Sequence, residues 1–171
     1  MTIRPLTASD AAAFQALRLH ALRESPTAFG SSHEEECDRP LEAVAASLAP
    51  GSGRHLFGAF VEGELVGMVG VGRESGRKEL HRGFVRSMYV APGHRGAGLG
   101  RQLLDAALAF AATLPGLRQL TLAVTAGNDA ALALYEAAGF RVYGCASEAL
   151  QVDGVFYDEL GMMKPLTPTG P

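Results

Sequence analysis

The chain has 171 residues, 47% of them hydrophobic and 19% charged, with a net charge of −3. A domain of this size buries about 70% of its unfolded surface, so a packed globule is expected rather than a disordered chain. An isoelectric point near 5.9 gives no electrostatic footprint for nucleic acid, there is no run of about 18 apolar residues to span a membrane, and Cys37 and Cys145 form neither a disulfide framework nor a metal-binding spacing.

Residues 1–164 read as one domain of mixed α/β character. Thr2 to Leu6 is a short strand. Thr7 caps a helix, with Asp10 three residues on, and Phe14, Leu17, Ala21 and Leu22 form its inner face as far as about Arg23. Ser25 to Ser32 is a loop. A second helix spans Leu41 to Leu48, with Pro40 at its first turn and Pro50-Gly51 as its stop. Arg54 to Val61 and Leu65 to Arg73 are strands joined by a hairpin at Glu62-Gly63-Glu64. Leu80 to Val90 is the next strand. The helix Leu99 to Thr113 buries Leu99, Leu103, Leu104, Ala107, Leu108 and Ala111. Leu117 to Thr125 is a strand, Asp129 to Ala138 a helix, and Phe140 to Leu150 a strand. A tight turn at Asp153-Gly154 leads into a last strand, Val155 to Met163, and Pro165 to Pro171 is expected to fray. Met1-Thr2-Ile3-Arg4-Pro5 lacks the apolar core of a secretory signal, so the cytoplasm is the expected compartment.

The chemistry is concentrated between the Val90 strand and the Leu99 helix. There Arg95-Gly96-Ala97-Gly98-Leu99-Gly100 places alternating glycines where a helix begins. The first turn of a helix carries orphan N–H donors and partial positive charge, and glycines leave them uncovered. The result is an anion site suited to phosphate or pyrophosphate. It is not a Walker A loop, because Gly100 is followed by Arg101-Gln102 rather than Lys-Ser/Thr. Nor is it a dinucleotide fingerprint, because the glycine spacing is two throughout.

With Val90-Ala91-Pro92 before it, this run resembles the acetyl-CoA signature of the GCN5-related N-acetyltransferases (GNAT). A second family motif is similar to Asn128-Asp129-Ala130-Ala131-Leu132-Ala133-Leu134-Tyr135, which ends at Gly139-Phe140. The order of elements is also the family's. The resemblance implies the GNAT fold, a mixed central sheet of about seven strands flanked by about four helices. It also implies an acetyl-CoA-dependent N-acetyltransferase that moves acetyl directly to a primary amine in a ternary complex, with no metal. The loop from Arg95 through Gly96, Ala97, Gly98, Leu99 and Gly100 to Arg101 would hold the pyrophosphate, with Arg95 on phosphate oxygens. The edge Met88-Tyr89-Val90 would pair with the pantetheine amides, and Asn128 would contact the same arm. The N–H of Val90 would face the thioester oxygen, an oxyanion-type donor of the kind worth about 3 kcal/mol. Tyr135, beside the sulfur, would be the general acid; a phenol of pKa about 10 facing a thiolate whose acid form is near 8.5 would donate a hydrogen bond more readily than a whole proton.

Other roles stay open on the residues alone. Tyr135 could be a core aromatic and Asn128 only a helix cap. Glu34, Glu35, Glu36, Glu79, His81, Asp158 and Glu159 are candidate bases; His81 stands about 23 Å of strand from Met88, and the glutamate triplet reads as a solvated helix face. Phe29, Ser31 and Ser32, with the loop from Gln151 to Val155, are candidate acceptor walls. The expected acceptor is a small-molecule amine, and the acidic pI suits a cationic one. A protein N-terminus or lysine, and a non-catalytic acyl-CoA sensor, are the alternatives. The resemblance also admits a homodimer.

Overall fold

The computed structural model describes residues 1–49, 51 and 54–166. Seven strands form one sheet in the order β1-β2-β3-β4-β5-β7-β6. They are β1 (Thr2–Pro5), β2 (Arg54–Val61), β3 (Glu64–Arg73), β4 (Arg82–Val90), β5 (Gln119–Thr125), β6 (Arg141–Val152) and β7 (Val155–Pro165). The helices are α1 (Ala11–Glu24), α2 (His33–Glu36), α3 (Leu41–Leu48), α4 (Leu99–Ala112) and α5 (Asp129–Ala137). Three 3₁₀ turns supplement them, at Ala8–Asp10, Pro26–Ala28 and Pro92–His94. All pairings are antiparallel except β4 with β5.

Apolar side chains cover both faces of the sheet. α4 packs with Val66, Val69, Val85, Leu120 and Phe140 on one side, and α1 and α3 pack with Leu56, Leu65, Met68 and Tyr89 on the other. β3 is therefore buried from Leu65 to Gly72, as a strand covered on both faces must be. Gly67 lets α4 come close: a Cβ there would lie 2.9 Å from Leu103.

Several expected boundaries move. The strand read from Leu80 begins at Arg82, because Glu79 donates to Gly76 O and Arg82 to Glu79 O, closing a turn. The loop Ser25 to Ser32 holds the turn Pro26–Ala28, and α2 adds a helix to the expected four. Leu108 is only half-buried on α4. Pro165, expected to fray, pairs with Gln119, and Leu166 N–H donates to Arg118 O. Pro50 in the expected helix stop and residues 167–171 of the expected tail lie outside the described residues.

One irregularity positions the site. Met68 faces Tyr89 while Gly70 faces Arg86, so β4 carries an extra residue there. Ser87 sits in this bulge at φ 56°, a left-handed backbone that costs a non-glycine residue about 1–3 kcal/mol. Bulges bend a strand and re-aim the residues beyond them. β4 pairs with β5 only over Arg82–Phe84, whereas β5 stays paired with β7 as far as Thr125. Beyond Phe84 the parallel strands separate, leaving the edge of β4 from Val85 to Val90 without a partner strand.

Candidate active site

A cleft of about 470 Å³ opens along that unpaired edge. Met88, Tyr89 and Val90 form one wall, the loop from His94 to Arg101 the floor, and Asn128, Ala130, Ala131 and Leu134 of the α5 region the other wall. Two sequence motifs about thirty residues apart thus meet in one concavity, apart from Tyr135.

The loop geometry follows from its glycines. Gly96 and Gly98 stand at φ 79° and 77°, a conformation open to glycine and strained for other residues. A Cβ on either would meet nothing within 4 Å, so their surfaces face open space. Gly98 is the N-cap of α4 and brings no capping side chain. The first helical N–H to find a carbonyl is that of Gln102, on Gly98 O at 3.1 Å. Among the described residues no backbone carbonyl accepts from the N–H groups of Gly96 to Arg101. These donors and the helix dipole fit a pyrophosphate, and the bare β4 edge fits an extended amide chain laid alongside.

Val90 points the right way along that edge. The neighbouring Ala91 N–H donates to Val66 O of β3 at 2.8 Å. Backbone groups alternate along a strand, so the Val90 N–H faces away from β3 and toward the cleft. Its carbonyl already accepts from Arg95 Nε at 2.8 Å.

Arg95 is held by protein rather than left as an open cation. Its guanidinium grips Glu24 through Nη2–Oε2 at 2.8 Å and Nη1–Oε1 at 3.3 Å, and lies 5.5 Å from the Tyr89 ring. Tyr89 donates its hydroxyl to the same carboxylate at 3.2 Å. The Arg95 hydrogen bonds, then that of Ser25, hold the Glu24 carboxyl below its usual range. Glu24 carried no motif, and sequence inspection could not find it: it lies 71 residues from Arg95. Arg101 is likewise engaged, with Asp105 at 2.8 Å and the carbonyl of Ala137 at 3.3 Å.

Asn128 caps α5, its side-chain oxygen accepting from Ala131 N–H at 3.2 Å, and it also lines the cleft. Tyr135 is buried at 7% exposure, edge-on to Phe140 at 5.9 Å, and is not among the cleft-lining residues. Burial pushes its pKa up to about 12, so it stays protonated at neutral pH. Its hydroxyl has no hydrogen-bond partner among the described residues, yet it is absent from the sealed, unpartnered polar atoms, which are Arg18 Nη1 and Arg82 Nε.

The candidate acceptor walls also meet. Phe29, Ser31 and Ser32 face Leu150 to Asp153 across a cavity of about 630 Å³. Phe29 is both wall and core, 8% exposed and 6.3 Å from Tyr89. The candidate bases scatter. His81 is exposed in the turn before β4, Glu79 pairs with Arg82 at 3.0 Å, and Asp158 accepts from Glu148 N–H at 2.8 Å. Glu35 closes a capping box with Ser32. Glu36 departs from the expected solvated face: it is half-buried and ion-paired with Arg18 at 2.7 Å. Glu159 lines a third cavity, between β4 and β5.

A mixed sheet whose parallel strands separate beside a glycine-capped helix has the form expected of an acyl-CoA-type transferase. Similarity to known proteins agrees. The Acetyltransferase (GNAT) family model matches residues 17–140. The chain is 32% identical over 144 residues to aminoglycoside N(6′)-acetyltransferase type 1 of Stenotrophomonas maltophilia, covering 82% of this chain and 86% of the relative. It is 39% identical over 100 residues to the N-alpha-acetyltransferase RimI of Mycobacterium tuberculosis, covering 58% of this chain and 60% of the relative. A crystal structure of a GNAT-family acetyltransferase from Streptococcus pneumoniae superimposes with a TM-score of 0.85 at 26% identity, covering 96% of this chain and 99% of that one. The chain belongs to the GNAT family and is an N-acetyltransferase.

Proposed function

We propose that the chain transfers acetyl from acetyl-CoA to the primary amine of a small molecule, directly and within a ternary complex. The observation that carries this reading is a single cleft joining unspent N–H donors at the start of α4 to the unpaired β4 edge. Acetyl-CoA supplies an activated thioester when bound. Gly96, Gly98, Leu99, Gly100 and Arg101 donate backbone N–H groups to its pyrophosphate, while Met88 to Val90 align the arm. Val90 N–H stabilises the oxygen on which charge develops. As the amine nitrogen forms its bond to the acyl carbon, the carbon–sulfur bond breaks and the nitrogen loses a proton to a base or water. Tyr135 meets the departing sulfur with a hydrogen bond. A pKa about 12 makes complete proton transfer to a thiolate uphill, so solvent completes the protonation.

Direct transfer is supported by the position of the cysteines, since neither Cys37 nor Cys145 lines the cleft. A small-molecule acceptor is supported by the aminoglycoside enzyme, which aligns over most of both chains; the relative named as an N-alpha-acetyltransferase keeps a polypeptide acceptor as the competing case. The test is free-CoA release from acetyl-CoA across an amine panel that includes peptides, read by chromatography because Cys145 is exposed. Release with small amines, slowed about 100-fold in kcat by Tyr135→Phe, is the expected result. Acetyl-CoA binding without transfer to any amine would overturn it.

A further inference from the structure

The cavity between the separated strands β4 and β5, about 590 Å³, carries charge that the acetyl-transfer reading has not used. Its wall includes Arg18, Arg54, Arg86, Ser31, Ser87 and Glu159. It shares an edge with the cleft: Phe84 to Ser87 line this cavity and Met88 to Val90 the cleft, and Ala28 borders both. An acceptor seated here would lie next to the position reserved for the thioester.

The positive charge is only partly spent. Arg18 gives Nε and Nη2 to Glu36 and Nη2 to Ser31, and Ser31 also donates to Glu36. Both Glu36 carboxylate oxygens are thereby hydrogen-bonded within the Arg18–Ser31 cluster. Arg86 lies flat over the Phe84 ring at 4.3 Å; among the described residues its guanidinium makes no hydrogen bond or ion pair, which leaves its donors for a ligand. Arg54 is half-buried in the same wall. Burial, then the charges of Arg39, Arg18 and Arg86, bring its pKa down against the opposing pull of Glu36. A planar guanidinium with unspent donors suits a carboxylate.

Glu159 lines the same cavity with a carboxylate that makes no hydrogen bond or ion pair among the described residues, and it stands too far from Arg86 to pair with it. An unspent anion and an unspent cation therefore line one solvent-open cavity from separate walls. That arrangement matches a ligand bearing both an ammonium and a carboxylate. We infer that the acceptor is a carboxylate-bearing amine of the amino-acid class, with its carboxylate held by the arginine wall at Arg86 and its amine presented toward Glu159. The inference rests on the acetyl-transfer reading and adds a specificity determinant to it. The acidic net charge pointed to a cationic amine, and the local field of this cavity is opposite to it.

The test compares N-acetyl amino acids, over the common side chains, with their N-acetyl amides, titrated calorimetrically into the protein in the presence of CoA. The expected result is that at least one acid binds about tenfold or more tightly than its amide, and that Arg86→Gln removes the difference while CoA affinity stays unchanged. In turnover, Glu159→Gln raises KM for the free amino acid, whose nitrogen is cationic, without altering affinity for the N-acetyl product, whose nitrogen is neutral. A merely structural role for Glu159 would move both. If no acid outbinds its amide on the native chain, or if Arg86→Gln leaves the ratio as it was, the inference falls. Transfer to uncharged or polycationic amines alone would keep the proposed function and sink the inference. Failure to bind CoA at all would sink both, and is read separately from the first titration.

Discussion

Gly98 shows how much a single backbone conformation decides. Its φ of 77° starts α4 without a capping side chain, and an added Cβ would project into open space, where the proposed function would seat a pyrophosphate. Gly98→Ala is expected to cost about 1–2 kcal/mol of stability and to raise KM for acetyl-CoA about tenfold or more, with a smaller effect on kcat. Steady-state kinetics and chemical denaturation of the same preparation separate the two effects. Tyr135 makes a prediction in pH. An unfolded tyrosine ionises near about 10, whereas burial holds Tyr135 neutral up to about 12. A raised native pKa gives a stabilising contribution that is complete below about 10 and is lost as pH rises through the native value. The melting temperature of the native chain should therefore fall faster above pH 10 than that of Tyr135→Phe, while both behave alike near neutrality. Parallel melting curves would show that the hydroxyl is not buried.

At the scale of elements, the entry to α1 is held by charge as well as by a cap. Arg4 makes two hydrogen bonds to Asp10, at 2.7 and 2.8 Å, and Asp10 also accepts from Thr7 N–H at 2.8 Å. The Arg4 hydrogen bonds outweigh burial and hold the Asp10 carboxyl far below its usual range. A lowered native pKa stabilises above the unfolded value, about 4, and this contribution is lost as pH falls below it. Asp10→Asn is expected to cost about 1–2 kcal/mol near neutrality, a modest figure because the Arg4 side chain is 41% exposed and screened by solvent. The gap between the variant and the native chain should close as pH drops below 4, measured by urea titration at several pH values. The bulge at Ser87 is the other decisive element feature. β-Branched and aromatic content marks β4 as a strand, but nothing local in Arg86-Ser87-Met88 announces the left-handed residue that shifts its register against β3.

Across the whole molecule, β7 lies between β5 and β6, so the end of the chain is an inner strand, one in from the edge of the sheet. Met162 is fully buried there, opposite Leu122 and Val142, while its neighbour Met163 points to the other face and is half-buried. Met162→Ala should cost about 2–5 kcal/mol and Met163→Ala clearly less. Equal losses in denaturation midpoints would contradict this register.

Periodicity and turn chemistry in the sequence were enough to place nearly every element, because hydrophobic spacing, Pro40, the Asp153-Gly154 turn and the glycine run act over a few residues. The bare helix start was legible for the same reason: its N–H donors and the glycines that expose them are contiguous. Convergence of distant segments was not legible. Glu24 on Arg95, Glu36 on Arg18, and the cavity that sets Arg86 opposite Glu159 depend on where α1, α2 and β7 lie against β4, and no local pattern encodes those distances. The family and the glycine loop belong to the sequence by itself. The burial that lifts the Tyr135 pKa, the splay that bares the Val90 edge, and the set of charges that line the cavity between β4 and β5 were decided only when the sheet closed and brought distant segments side by side.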